Sequence, residues 1–295
     1  MKLGVHIVNF EMVGGTESIA SNLAQVGRSV EDAGIQNLSV MDHYFQMEMA
    51  GGPEKPMLEG YTTLGFLAAH TSTAELQLLV TGVMYRHPGL LAKIVTTLDV
   101  VSGGRALLGI GAAWYDREHL GLGVPFPPVS ERFERLEETL QIVHQMWSDN
   151  DGPFVGQHYA LTETINVPQA ISKPHPPIMI GGLGEKKTLR LVAQYADACN
   201  FFAGPEAGAD FIAAKLAVLE ERCGEVGTDY SAIRKTILWT GPVGTDAGGG
   251  HDFVEQMRPF ADVGIEEVHV MPFTGEPVPY IRGLGDHVMS ELTAL

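Results

Sequence analysis

The sequence predicts a closed (β/α)8 barrel, and three observations predict it. Eight short apolar runs rich in β-branched residues are spread from one end of the chain to the other. Each is followed by a stretch with apolar residues at helical spacing, a rhythm that implies a parallel sheet. The 295 residues suffice for a fold that takes ~250. An open parallel sheet would need one of the eight strands to be spurious.

The first predicted strand is Leu3–Val8. A helix follows from near Thr16, with Ile19, Leu23, Val26 and Val30 on one face, capped by Thr16 and closed by Gly34. Strand two is Asn37–Met41. A Gly/Pro-rich loop (Gly51–Met57) then leads to a helix over about Tyr61–Thr71. Strand three is Leu76–Val83, and Pro88 stands at the first position of the next helix, where its missing N–H costs nothing. That helix stops at Ser102-Gly103-Gly104, and strand four is Arg105–Gly111.

The longest predicted helix is Ser130–Trp147, with Phe133, Leu136, Leu140, Val143 and Trp147 on one stripe. Phe154–Val167 breaks the rhythm and reads as an inserted hairpin within an insertion at about 150–170. Strand five is Pro177–Ile180 with a helix over Glu185–Ala196, and strand six is Ala198–Phe202 with a helix over Ala207–Val226. Strand seven is Thr236–Val243, then a helix over Asp252–Val263. Gly244–Gly250 reads as a mobile rim loop. Strand eight is Glu267–Met271, with a final helix over Val278–Leu292. No linker divides the chain, so one domain over 1–295 is expected.

Charge excludes some partners. Nineteen Lys and Arg against 36 Asp and Glu give a formal charge of −17. The longest run of cations is Lys186-Lys187. Nucleic acid and anionic membrane surfaces need clustered cations, so neither is an expected partner. No segment has the roughly 18 consecutive apolar residues of a membrane span, and the N-terminus lacks a secretory apolar core. The two cysteines show no C-x-x-C spacing. A cytoplasmic protein is expected. None of the 11 histidines forms H-x-H or H-E-x-x-H, so no metal site is expected.

In such a barrel, functional residues cluster at the C-terminal ends of the strands. Asp42-His43 directly follows an apolar strand, and an imidazole there suits proton transfer near neutral pH. An Asp capping a loop beside an ordinary His explains the pair equally well. Gly181-Gly182-Leu183-Gly184-Glu185 with Lys186-Lys187 lets backbone approach a ligand and offers amides to an anion, with both lysines in the first helical turn. A tight turn with two solvated lysines is the alternative. Gly111-Ala112-Ala113 leaves space for a flat ring, and Trp114 either stacks on it or packs the core. Arg86 and His87 precede a helix start, as anion ligands or as plain surface residues. His269, inside strand eight, reads as a satisfied core residue.

Together these segments resemble the luciferase-like monooxygenases, and within them the deazaflavin-dependent branch. The resemblance rests on Val40-Met41-Asp42-His43-Tyr44-Phe45, Met57-Leu58-Glu59-Gly60-Tyr61, Thr81-Gly82-Val83 with Tyr85-Arg86-His87-Pro88, and Leu98-Asp99 with Ser102-Gly103-Gly104-Arg105. It is carried further by Leu108-Gly109-Ile110-Gly111-Ala112, Glu131-Arg132-Phe133 and Pro176-Pro177-Ile178-Met179-Ile180-Gly181-Gly182. It implies a barrel with an inserted segment, usually dimeric, that holds coenzyme F420 or FMN at its C-terminal rim. Asp42 and His43 match positions touching the deazaflavin ring, with His43 as proton donor or orienting residue. A bulge with a non-proline cis peptide is implied near Leu78–Leu79, placing Leu78, Leu79 and Thr81 behind the ring. Ala112, Ala113 and Trp114 match a segment flanking the ring, and Gly181–Glu185 match the loop that takes the cofactor phosphate.

The sugar-phosphate dehydrogenases of that family carry acids after strands one and four, where this chain has Phe10 and Trp114. A pocket of Phe10, Tyr44, Phe45 and Trp114 instead implies a neutral or hydrophobic substrate. Three functions compete: hydride transfer with coenzyme F420, an FMN-dependent monooxygenase, and a cofactor-free isomerase, aldolase or ligand-binding barrel. No strand-end lysine stands ready for a Schiff base, which weighs against the aldolase.

Overall fold

The computed structural model describes residues 1–273 and 275–295. Eight parallel strands form the barrel: β1 (Lys2–Ile7), β2 (Asn37–Val40), β3 (Glu75–Leu78), β4 (Ala106–Gly111), β5 (Ile178–Gly181), β6 (Ala198–Ala203), β7 (Arg234–Trp239) and β8 (Glu267–Val270). Each pairs with its sequence neighbours, and β1 pairs with β8, so the sheet closes. An open sheet is thereby excluded. Among the described residues no helix is long and apolar enough to cross a membrane.

Strand alternation divides the core in two. Leu3, Val5 and Ile7 of β1 face outward into the large apolar layer between sheet and helices. Helix α1 (Ile19–Asp32) contributes Leu23, Val26 and Val30 to that layer, as its spacing predicts. Each such side chain contributes roughly 1.5–3 kcal/mol by leaving water. The opposite parity faces the barrel axis. There Leu79, Leu107, Met179, Ala198 and Leu238 form a second, smaller cluster. Around it lie buried polar residues of the same parity, including His6, Asn37, Gln77, Asn200, Thr236, Glu267 and His269.

Strand three is shorter than predicted and broken. Gln77 pairs with Leu107, and the next pair is Thr81 with Ile110, so four residues of one chain span three of the other. This is a one-residue bulge. The non-proline cis peptide joins Leu79 to Val80, one residue beyond the expected bond. Val80 bends over β4 and β5, where a Cβ on Gly111 or Gly181 would meet its methyls at 3.0 and 3.2 Å.

Several boundaries differ for local reasons. Thr16 begins a 3-10 turn and makes no side-chain cap, although Gly34 takes the expected left-handed conformation (φ 70°). Helix α2 is Gly60–Ala68, capped by Glu59, which accepts from the amides of Tyr61 and Thr62 at 3.3 and 2.7 Å. Helix α3 (Pro88–Ser102) starts on Pro88 as predicted, with His87 accepting from the Gly89 amide. A short helix absent from the prediction, α4 (Asp116–Leu122), precedes α5 (Val129–Met146).

The inserted hairpin is real but small, pairing Phe154–Val155 with Ala160–Leu161. Helix α6 is Thr188–Tyr195, so Lys186 and Lys187 precede the helix rather than occupying its first turn. Helix α7 is Ala209–Val226. Helix α8 (Ala247–Asp262) absorbs half of the predicted Gly-rich rim loop, because Asp246 caps it by accepting from the Gly249 amide at 2.8 Å. The chain ends in α9 (Pro277–His287) and α10 (Met289–Leu292), where one helix was expected.

Candidate active site

The C-terminal ends of β2, β4 and β5 bring His43, Trp114 and the Gly181–Lys187 loop to one mouth of the barrel. His43 follows β2 and is mostly buried, at 13% side-chain exposure. Its Nδ1 lies 2.7 Å from Oε1 of Glu118 on α4. The same carboxylate accepts from the Tyr44 amide at 2.6 Å, the Phe45 amide at 3.0 Å and the Tyr85 hydroxyl. Burial works against charge on Glu118, but the donors, His43 foremost, hold its carboxyl below the usual carboxylate range. An ionised Glu118 fixes the proton of His43 on Nδ1 and leaves Nε2 for the mouth. The rings of Trp114 and Tyr115 stand T-shaped to the imidazole at 5.6 and 5.7 Å between ring centres.

Glu118 is the residue that sequence reasoning missed. Replacing it by Gln keeps the volume but exchanges an ionic acceptor for an amide. Expected is a fall in kcat of roughly tenfold, with the two ring nitrogens of His43 becoming mixed in protonation. Nitrogen-15 NMR of the imidazole reads the tautomer, and an unchanged spectrum would show that Glu118 does not set it.

Asp42 is buried differently. Its two oxygens accept from Nη1 and Nη2 of Arg86 at 2.8 and 2.9 Å, and one also accepts from the Gly82 amide at 2.9 Å. Burial pushes its carboxyl up, against the pull of the Arg86 guanidinium. Arg86 reaches on to Glu59, the cap of α2, so one guanidinium ties together the ends of β2 and β3 and the start of α2. Arg86 is thus neither a surface residue nor a free anion ligand. With these partners Asp42 anchors the loop that carries His43.

The other expected site residues fall into two groups. Gly111, Ala112 and Ala113 end β4 at the mouth, with Ala113 in the left-handed region (φ 61°), and Trp114 beside them is 58% exposed. Gly182 takes φ 127°, and its amide donates to the Asn200 carbonyl at 3.0 Å. The following amides, from Leu183 to Lys187, make no hydrogen bond within the described residues. Glu185 instead turns its side chain to Lys215 at 2.6 Å.

Leu78 faces the outer layer and Leu79 the barrel interior. Thr81 is buried and bonded to the Tyr61 hydroxyl at 2.8 Å. Phe10 is fully buried in the outer apolar layer, so it does not line the mouth. Tyr44 packs edge-on against Tyr85 at 5.1 Å, and Phe45 packs against Gly121 of α4. Exposed rings at the strand ends are instead Trp114, Phe202 and Phe273.

A parallel barrel with a carboxylate-oriented histidine beside a floor of small residues and an amide-rich loop defines a class, and sequence comparison agrees. The chain belongs to the luciferase-like monooxygenase family, whose sequence profile matches residues 1–244. It is 31% identical over 170 residues to an F420-dependent glucose-6-phosphate dehydrogenase of Kineococcus radiotolerans, covering 56% of this chain and 48% of that protein. It is 29% identical over 133 residues to the FMNH2-dependent dimethylsulfone monooxygenase of Pseudomonas putida, covering 44% and 37%. The chain thus spans about half the length or less of these relatives. Among solved folds, the coenzyme F420-dependent tetrahydromethanopterin reductase of Methanopyrus kandleri superposes with a TM-score of 0.78. That match has 16% identity and covers 99% of each chain.

Proposed function

We propose that this protein is a coenzyme F420-dependent oxidoreductase acting on a small organic substrate. The observation that carries the proposal is His43, held through Nδ1 by Glu118, with Nε2 left for the mouth beside a floor of small side chains. The relative from Kineococcus radiotolerans, named for the same coenzyme, supports the choice.

The site fits the coenzyme. Val80, seated over Gly111 and Gly181, makes with Ala112, Ala113 and Gly182 a low floor for a planar ring, and the unengaged amides from Leu183 to Lys187 suit its phosphate. Bound there, the deazaflavin supplies hydride transfer at its ring carbon. His43 holds or delivers a proton at Nε2, Glu118 keeps the imidazole aimed, and Asp42 with Arg86 fixes the supporting loop. Trp114 shields one side from water. The apolar mouth suits a neutral substrate. Two buried free thiols, Cys199 and Cys223, suit a reducing, cytoplasmic setting.

The deciding experiment is equilibrium binding of coenzyme F420 and of FMN, read by fluorescence quenching. The expected result is tight binding of coenzyme F420 and weak binding of FMN. Tight FMN binding alone would support the monooxygenase reading favoured by the Pseudomonas putida relative, and binding of neither would support a cofactor-free barrel.

The protein is further proposed to act as a homodimer through α2 and α3. Leu90 and Val101 are each 64% exposed there and Phe66 37%, beside a groove of about 380 Å³ lined by Tyr61, Ile94 and Leu98. Val101→Glu should weaken the dimer by roughly 100-fold, since an unpaired charge would be buried at the contact. Sedimentation velocity checks this, and a wild type that stays monomeric at micromolar concentration would refute the interface.

A further inference from the structure

Phe202 and Thr240 mark a cavity at the mouth that the proposed chemistry does not use. Ala198 of β6 and Leu238 of β7 face the barrel interior. Strand alternation turns Phe202 and Thr240, at the C-terminal ends of the same two strands, toward the axis as well. Both are exposed, Phe202 at 55%. With Gly204, Pro205 and Glu206 they line a cavity of about 390 Å³. In a ring of eight strands β6 stands opposite β2, so this cavity faces His43 across the mouth.

The polar groups around the cavity are mostly hydrogen-bond acceptors. The Gly204 and Ala207 amides donate to each other's carbonyls at 3.3 and 3.1 Å, and Pro205 has no N–H. The Thr240 amide and hydroxyl both donate to the Ala203 carbonyl, at 2.8 and 3.0 Å. The Thr240 oxygen still has lone pairs to offer. A Cβ on Gly204 would stand 2.3 Å from that oxygen, so the glycine leaves it uncovered. Of the loop from Gly204 to Ala207, only the Glu206 amide remains as a donor. The Glu206 carboxylate makes no hydrogen bond or ion pair among the described residues. Cations around the mouth are paired with other acids: Lys55 with Glu11, Arg86 with Asp42, Arg117 with Glu48 and Lys215 with Glu185. Lys186 and Lys187 stand in the loop assigned to the coenzyme phosphate. A free carboxylate, an acceptor hydroxyl and an exposed aromatic ring together suit a donor that carries positive charge. The net charge of −17 favours the approach of such a ligand and opposes that of an anion.

We propose that this cavity binds an ammonium group, the polar end of an apolar amine substrate. The Glu206 carboxylate and Oγ1 of Thr240 accept from its N–H groups, and the Phe202 ring lies against its charge. The apolar body extends toward Trp114 and Phe273, exposed rings that follow β4 and β8, two strands that also stand opposite each other. Such a substrate departs from a wholly neutral one at this end alone. That the amine is turned over rests on the oxidoreductase reading, whereas its binding here does not.

The test uses the protein without cofactor and three probes of one shape: cyclohexylmethylamine, cyclohexylmethanol and cyclohexanecarboxylate. NMR titration at neutral pH follows the Phe202 ring and the Thr240 methyl group. The amine should shift both and bind about fivefold or more tightly than the alcohol, with the carboxylate weakest. Glu206→Gln should bring the amine within about twofold of the alcohol and leave the alcohol unchanged. Equal binding of amine and alcohol, an amine preference unchanged in Glu206→Gln, or shifts that miss Phe202 and Thr240 would overturn the proposal. Coenzyme F420 binding is measured separately, so an amine preference in a protein that does not bind the coenzyme would uphold the site and remove only its catalytic use.

Discussion

Replacing His43 by Ala is expected to lower kcat by roughly 10²–10⁴-fold while leaving the affinity for coenzyme F420 largely intact. The reasoning separates two jobs. The coenzyme phosphate would be held by backbone amides after β5, on the far side of β4 from His43. Removing one imidazole leaves those donors in place, so binding measured by fluorescence quenching should change little. What disappears is the group that meets the mouth through Nε2, held by Glu118 at 2.7 Å. Steady-state kinetics on the variant would read the loss in kcat. A variant as active as wild type would remove His43 from the chemistry, and a variant that no longer binds the coenzyme would recast it as a binding residue.

The second large effect concerns stability. Arg86→Ala should destabilise the fold by about 3–5 kcal/mol, because it strands the buried carboxylate of Asp42 without its charge partner. The Arg86 side chain is 8% exposed and that of Asp42 1%, so water cannot replace what is removed. Adding Asp42→Ala to Arg86→Ala should recover part of the loss, since the double variant buries no orphan charge. Urea denaturation of the two variants gives the comparison. If Arg86→Ala unfolds at the wild-type midpoint, the pair does not anchor the loop.

The barrel was legible in the sequence because strand and helix periods repeat eight times and local patterning settles each. The candidate site was legible only as a place, the strand ends that bring His43 and Gly181-Gly182 to one mouth. It was not legible where a partner comes from far along the chain. Glu118 meets His43 across 75 residues, on a seven-residue helix too short to show a stripe. Arg86 looked like a surface cation, since nothing near it in sequence announces Asp42 and Glu59. Phe10 looked like a pocket wall, yet packing turned it into the outer layer. The start of α8 was hidden by three glycines, poor helix formers that the Asp246 cap overrides.

The bend of Val80 over its neighbours bears on how this pocket can be altered. At Gly109 a Cβ would stand 2.1 Å from the Leu78 carbonyl, and Gly111 and Gly181 are crowded by Val80 itself. A side chain at Gly109 would collide with main chain, and one at Gly111 or Gly181 would press on the Val80 methyls at 3.0 and 3.2 Å, so that Val80 would have to give. Gly109 is therefore closed to any side chain, and Gly111 and Gly181 accept one only if Val80 shifts. New specificity, whether selected in nature or in a library, has to be written on the ring-bearing walls around Trp114, Phe202 and Phe273.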